Sequence, residues 1–211
     1  DVMPVVGWTR EAVFYQIFID RFYRGDEAKD DRYINTRWDG EIDRHSFTGG
    51  DLDGITKKLP YLSDLGVTAL YLTPIFYSSS NHKYNVLDYT QVDPQFGNEE
   101  SLSRFLTAAH GKGMKVVIDT VFNHCDSKHE IFRDVERNGR NSKYYNWFLI
   151  DGDFPDPALG NYAYFADCKY MPKWNTDCPE VRRYLIDIAL QSLRTGFDGL
   201  RLDVADEISH E

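Results

Sequence analysis

Four apolar runs of strand length punctuate the chain: residues 13–19 (VFYQIFI), 67–72 (VTALYL), 115–119 (KVVID) and 199–203 (GLRLD). Two of them look buried on both faces, the pattern of parallel strands covered by helices. Helical spacing fills the intervals. Ile55, Leu59, Leu62 and Leu65 recur along one face, as do Leu102, Phe105, Leu106 and Ala109. Val181, Leu185, Ile188, Ala189 and Ser192 form the clearest stripe. Pro179 near its start and Gly196 just past its end suit a helix's first turn and its stop. Pro60 falls inside the first pattern and predicts a break or kink there. The order β-α-β-α-β-α-β predicts an α/β fold with parallel strands.

The two ends of the sheet differ in their connections. Helix-to-strand links are short and glycine-rich, at Gly66, at Gly111 and Gly113, and at Gly196. Strand-to-helix links are long, about 20–50, 73–97 and 120–177. Connections beyond about 15 residues are uncommon without a purpose. All of these fall at the C-terminal ends of the strands, where α/β barrels carry their active sites. No glycine-rich phosphate loop follows the first strand, so a barrel is preferred to a doubly wound nucleotide-binding sheet. The longest link is rich in Tyr, Trp, Phe, Asp and Asn, which predicts a small folded sub-domain over the site rather than a linker. The expected division is 1–124 for the first three strands, 125–175 for the sub-domain, and 176–211 for the third helix and fourth strand.

Composition narrows the function classes. The net charge is −10, a field that repels nucleic acid, and no basic patch opposes it. No stretch of about 18 apolar residues is present, so no membrane span is expected. Cys125, Cys168 and Cys178 cannot all pair and lack metal-ligand spacing, which favours reduced thiols and a cytoplasmic setting. The opening Asp1-Val2-Met3 leaves room for a removed upstream signal or domain.

Candidate chemistry lies at two strand ends. Asp119 closes the third strand and is followed by Asn123 and His124, while Asp203 closes the fourth, with Arg201 two residues earlier. Strand side chains alternate, so Arg201 and Asp203 project the same way. An arginine beside a carboxylate favours the ionised form, which a nucleophile needs. A structural Arg–Asp pair filling the barrel mouth fits these two residues equally well.

The segments 119–124 (DTVFNH) and 199–203 (GLRLD) resemble the first two signature regions of the α-amylase family of glycoside hydrolases. Residues 49–51 (GGD), 70–75 (LYLTPI), 81–84 (NHKY) and 92–97 (VDPQFG) resemble its flanking segments. Residues 171–175 (MPKWN) are similar to the MPKLN segment of the neopullulanase, cyclomaltodextrinase and maltogenic amylase subgroup. The likeness runs from about Ala12 to the last residue and implies strands 1–4 of a (β/α)8 TIM barrel.

By that resemblance Asp203 is the nucleophile and Arg201 holds it charged and oriented. Tyr84 stacks beneath the sugar being cleaved, His124 bonds that sugar's hydroxyls, and Glu207 lies beside the acceptor sugar. Asp119 braces Arg201, and Asn123 fixes the adjoining loop. The implied reaction is retaining hydrolysis of α-1,4 links, with α-1,6 links as a further target, in cyclodextrins, maltooligosaccharides, pullulan or starch. It uses no cofactor. A second carboxyl, about 5 to 5.5 Å from the first, acts as the acid. In the family that acid comes from the fifth strand, so this chain by itself is expected to be inactive.

Three further expectations follow. Half a barrel leaves its first and fourth strands as open edges, so self-association is expected. Some subgroup members bind calcium in the loop after the first strand, the region of Asp26, Asp30, Gly49 and Asp51. Here Arg24 and Lys29 stand where ligands would be, so no metal is expected. Asn85, Asp206 and Trp174 replace the subgroup's usual Asp, Asn and Leu and leave fine substrate preference open. The rival reading is a non-catalytic amylase-like protein, such as a transporter heavy-chain ectodomain or a glucan-binding half-barrel. Those typically lose the set Asp203, Arg201, His124 and Tyr84.

Overall fold

A computed structural model describes residues 5–209; the opening Asp1-Val2-Met3 and the final Glu211 lie outside them. Four strands form one parallel sheet: β1 (Phe14–Ile17), β2 (Ala69–Leu72), β5 (Lys115–Thr120) and β6 (Gly199–Leu202), in that spatial order. Each pair is in register, so Ile17, Leu72, Ile118 and Leu200 lie in one row across the sheet. The helices α2 (Leu52–Asp64), α3 (Glu99–Gly111) and α5 (Pro179–Thr195) connect the strands. This is the first half of a (β/α)8 barrel.

The period of two sorts the strand residues. Ile17, Leu70, Leu72, Val116 and Ile118 are buried against Ile55, Leu59, Leu62, Phe105 and Leu106 of α2 and α3. The opposite face carries Gln16, Tyr71, Val117, Asp119 and Arg201. Gln16, Tyr71 and Val117 on that face are only partly covered or exposed. Two strands are expected to be buried on both faces, but even the central β2 and β5 are covered by helices on one face only. The other is the side that a closed barrel turns inward.

Several boundaries move. β1 stops at Ile17, because Ile19–Phe22 forms a one-turn helix, α1. β2 starts at Ala69 and β6 stops at Leu202, which leaves Asp203 just beyond the strand. α2 runs through Pro60 from Leu52 to Asp64, so of the expected break or kink the break does not occur. Pro60 is exposed, so its ring meets solvent and water can serve the carbonyl that loses its partner. Leu65 is the cap of that helix and is exposed, not part of the core stripe. Pro179 and Gly196 bound α5, Gly196 taking a φ of 121° that suits glycine.

The long links carry structure of their own. Residues 73–97 contain an antiparallel hairpin, β3 (Phe76–Ser78) with β4 (Val86–Val92), which the apolar pattern did not predict. The 120–177 link contains α4 (Glu130–Asn138) and short antiparallel bridges, among them His124 with Lys173 and Phe148 with Trp174. Phe132, Phe148, Tyr162 and Trp174 build a second core, which also takes Val86 and Tyr89 of the hairpin and Val181, Leu185 and Ile188 of α5. Rings meet edge-on or stacked, as in Phe148–Trp174 at 4.9 Å.

Candidate active site

Parallel register sets the centre of the site. Asp119 and Arg201 are Cα partners across β5 and β6, and side chains of partnered residues share a face. Arg201 Nη1 donates to both oxygens of Asp119, at 3.1 and 3.2 Å, and to Asp203 Oδ1 at 2.6 Å. Asp203 is steadied by its own N–H, which donates to the Thr120 carbonyl at 3.1 Å. Burial works against the Arg201 charge, but the bonds to Asp203 and Asp119 outweigh it and raise its pKa.

Asp119 is fully buried. Its Oδ2 accepts from the hydroxyls of Tyr71 at 2.5 Å and Tyr84 at 2.7 Å. Burial pushes the Asp119 carboxyl upward, while the two phenols and Arg201 pull the other way. The bonds to Asp119 in turn tether the Tyr84 ring, which also stacks on His82 at 5.8 Å. Tyr71 was missed in the sequence, where it is one aromatic in an apolar strand. Its parity, shared with Asp119 and Arg201, was the available signal.

The turn after β5 carries Asn123 and His124. The His124 imidazole is fully buried, and burial lowers its pKa to about 4. Its Nε2 lies 3.1 Å from the Tyr84 carbonyl and its Nδ1 3.2 Å from Asn123 Nδ2. Phe165 stacks on one face at 4.7 Å. Both ring nitrogens are thus engaged within the protein, and a sugar hydroxyl would have to share or displace the Tyr84 carbonyl.

Past Asp203 the chain turns sharply. Val204 has φ 50° and ψ 44°, a left-handed conformation that costs a β-branched residue on the order of 1–3 kcal/mol. The following turn brings Glu207 back to Asn123, whose Nδ2 donates to Oε2 at 3.3 Å, and to Lys173, whose Nζ lies 2.9 Å from the same oxygen. The lysine ammonium and the Asn123 amide hold the Glu207 carboxyl below its ordinary value. Asp203, Arg201, Asp119, Tyr84, His124, Asn123 and Glu207 therefore form one connected set of contacts. A cleft of about 630 Å³, lined by His45, Phe47, Asn81, His82, Asn85 and Tyr170 among others, adjoins this set through His82, which stacks on Tyr84. Asn85 Nδ2 donates to the buried Asp126 carboxylate at 2.7 Å, a partnership that an aspartate at 85 would turn into repulsion.

The loop after β1 is filled by a lysine. Lys29 Nζ donates to the Gly49 carbonyl at 2.6 Å and the Gln95 carbonyl at 3.0 Å, and pairs with Asp51 Oδ2 at 2.9 Å. Asp51 also accepts from the N–H groups of Gly25, Asp26 and Gly54. Arg24 turns instead to Asp31 and the carbonyls of Asp26 and Glu27, and Asp30 pairs with Arg32 on the surface. Among the described residues no group of three or more His, Cys, Asp or Glu could hold a metal ion.

Known proteins match this chain along its whole length. It is 46% identical over 214 residues to neopullulanase 2 of Thermoactinomyces vulgaris, which spans 100% of this chain and 36% of that protein. It is 44% identical over 213 residues to the intracellular maltogenic amylase of Bacillus subtilis strain 168, again 100% of this chain and 36% of that one. The chain thus spans little more than a third of the length of these relatives. Among solved structures, the cyclic α-maltosyl-(1→6)-maltose hydrolase of Arthrobacter globiformis, in complex with cyclic α-maltosyl-(1→6)-maltose, superposes with a TM-score of 0.91 at 39% identity. That match covers 96% of this chain and 46% of the hydrolase. The family model for the α-amylase catalytic domain matches residues 16–211. With strands, turn and carboxylates in the places described above, the chain belongs to the α-amylase family, within its catalytic domain.

Proposed function

We propose that the complete natural protein is a retaining glycoside hydrolase that cuts α-1,4 links, and also α-1,6 links, of cyclodextrins, maltooligosaccharides, pullulan or starch. The observation that carries this reading is the 2.6 Å bond from Arg201 to Asp203 at the C-terminal edge of the sheet. Asp203 attacks the anomeric carbon and forms a glucosyl ester, while the leaving oxygen takes a proton from a second carboxyl. Arg201 keeps Asp203 oriented and Asp119 keeps Arg201 and Tyr84 in place. Tyr84 offers its ring to the sugar at the cleavage point, and His124 contacts that sugar's hydroxyls. Asn123 fixes the turn, and Glu207 stands beside the acceptor. The neighbouring cleft has room for further sugar units. Asp119 does not serve as the acid here, because three donors already occupy its carboxylate. No cofactor enters the scheme.

The deciding experiment uses the complete protein and an α-glucosyl fluoride bearing fluorine at C2 or C5. A peptide containing Asp203 should gain the mass of one fluoroglucosyl unit. Labelling elsewhere, or none alongside measurable hydrolysis, would overturn the assignment.

The partition into 1–124, 125–175 and 176–211, with the middle part leaning over the site, belongs to the same proposal, as does a cytoplasmic location. The three cysteines are free, and no described helix is long and apolar enough to cross a membrane. Self-association is proposed of the 211-residue chain by itself. β1 and β6 are sheet edges, and Val13, Phe14 and Leu202 beside or within them are 53%, 48% and 46% exposed.

A further inference from the structure

We infer that Tyr89 and Trp174 are positioning residues that clamp the turn carrying Asn123 and His124 and tie its geometry to the packing of the 125–175 segment. Tyr89 on β4 is buried, and its hydroxyl lies 2.6 Å from the Val121 carbonyl and 3.0 Å from the His124 carbonyl. One phenolic proton thus faces both ends of the turn. The hydroxyl's acceptor side is used as well, by the Trp174 indole N–H at 3.3 Å. Trp174 holds the remaining point, its backbone N–H donating to the Asn123 carbonyl at 3.0 Å. The adjacent Cys125 N–H donates to the Pro172 carbonyl at 3.1 Å. The carbonyls of residues 121, 123 and 124 are therefore fixed by two side-by-side aromatics.

Both aromatics back onto one ring cluster, Tyr89 meeting His129 at 5.9 Å and Tyr184 at 6.2 Å. Trp174 stacks on Phe148 and meets His129 edge-on at 5.3 Å, with Trp147 and Tyr184 close by. A leucine at 174 would keep the backbone bond but lose the indole N–H and most of these ring contacts. The turn is thus held from the segment's aromatic core by the Trp174 backbone N–H and, through Tyr89, by the indole N–H that a leucine lacks. Rotating or sliding that core moves the clamp, and with it the His124 ring that closes against Tyr84.

This inference rests on the glycosidase reading for its catalytic consequence but not for its geometry, so the test has two arms. The variants are Tyr89→Phe and Trp174→Phe, which keep the rings, with Tyr162→Phe as a control. Tyr162 also spends a buried hydroxyl, on the Lys169 carbonyl at 2.6 Å, away from the turn. All are made in the complete natural protein. Tyr89→Phe should lower kcat/KM on maltooligosaccharides by about tenfold or more, because small misplacements of site groups are costly. Trp174→Phe should fall between it and the control. In the second arm the nitrogen-15 shifts of the His124 imidazole, read at neutral pH by NMR, should move in Tyr89→Phe and stay put in Tyr162→Phe. Equal behaviour of Tyr89→Phe and Tyr162→Phe in both arms would overturn the inference. A wild-type protein without glucan hydrolysis would defeat the glycosidase reading alone, because the NMR arm still reads the clamp.

Discussion

Arg201 donates to Asp203 from two residues earlier on the same strand edge, at 2.6 Å, while its other contacts anchor it on the fully buried Asp119. The nucleophile candidate is thus held by a cation that is itself held from below. In the complete protein, Asp203→Asn should lower kcat by at least about a thousandfold, as expected for loss of a covalent nucleophile. Arg201→Lys should cost roughly a hundredfold, since a compact ammonium on a shorter, more flexible stem does not reproduce the placement of Arg201 Nη1 between Asp119 and Asp203. Steady-state kinetics on maltooligosaccharides, with thermal melting to confirm folding, checks both. Activity of Asp203→Asn within tenfold of the wild type would remove Asp203 from the reaction.

Tyr71 makes a prediction about pH. Its hydroxyl donates to Asp119 and favours the charged carboxylate, against burial that raises the pKa from the ordinary 3.8. Tyr71→Phe removes that donor, so the Asp119 pKa should rise further and the acid limb of the kcat/KM profile should move to higher pH. Stability follows the same sign. A raised carboxyl contributes most below its unfolded pKa, and the contribution is lost as pH rises through the folded value. The variant's deficit relative to wild type should therefore be greatest at neutral pH, where the carboxylate is charged, and shrink in acid. An unchanged acid limb would separate Asp119 from the chemistry.

Two buried histidines should make the fold acid-sensitive. Burial lowers His124 and His129 to about 4 each, from 6.5. With folded pKa values depressed, the unfolded chain binds protons first. Stability is full above about pH 6.5 and falls toward pH 4, by roughly 1.4 kcal/mol per pH unit for each histidine. His129 caps α4 through its Nδ1. Replacing it with Asn, which retains a capping oxygen, should roughly halve the slope that these two histidines contribute. Urea unfolding at a series of pH values between 4 and 7 measures this.

Calcium should leave the protein indifferent. The Lys29 ammonium, with a side chain only 7% exposed, occupies the oxygen cage formed by Asp51 and the carbonyls of Gly49 and Gln95. Neither calcium nor a chelator should shift the melting temperature. Lys29→Met should destabilise by about 3 kcal/mol, because it leaves the buried Asp51 carboxylate with backbone donors but no counter-charge. A calcium-dependent rise in melting temperature of the unaltered protein would contradict this.

The isolated 211-residue chain should self-associate. Its sheet ends in two unpaired edges, β1 and β6, flanked by exposed Val13, Phe14 and Leu202. Such edges offer both backbone partners and apolar surface. Light scattering of the purified chain should show species larger than a monomer, increasing with concentration. A monodisperse monomer would count against the proposal.

The periodicities of the chain by themselves determined α2, α3 and α5, the four parallel strands and the placement of long loops at one end, because apolar spacing reports which side of an element must leave water. They also put Arg201 and Asp203 on the same side of the chain, where the two meet although Asp203 lies just past the strand, and the family motifs marked the remaining candidates. Other features depended on contacts distant in sequence. Pro60 stays inside α2 because its position faces solvent, which no local pattern states. The β3–β4 hairpin has irregular register and mixed burial, so its alternation is blurred. Tyr71 joins Asp119 across 48 residues, and Tyr89 meets the His124 turn across 35. Only the packed structure decided those partners, because a hydroxyl's choice of carbonyl or carboxylate is set by where the backbone brings it, and that depends on the whole sheet.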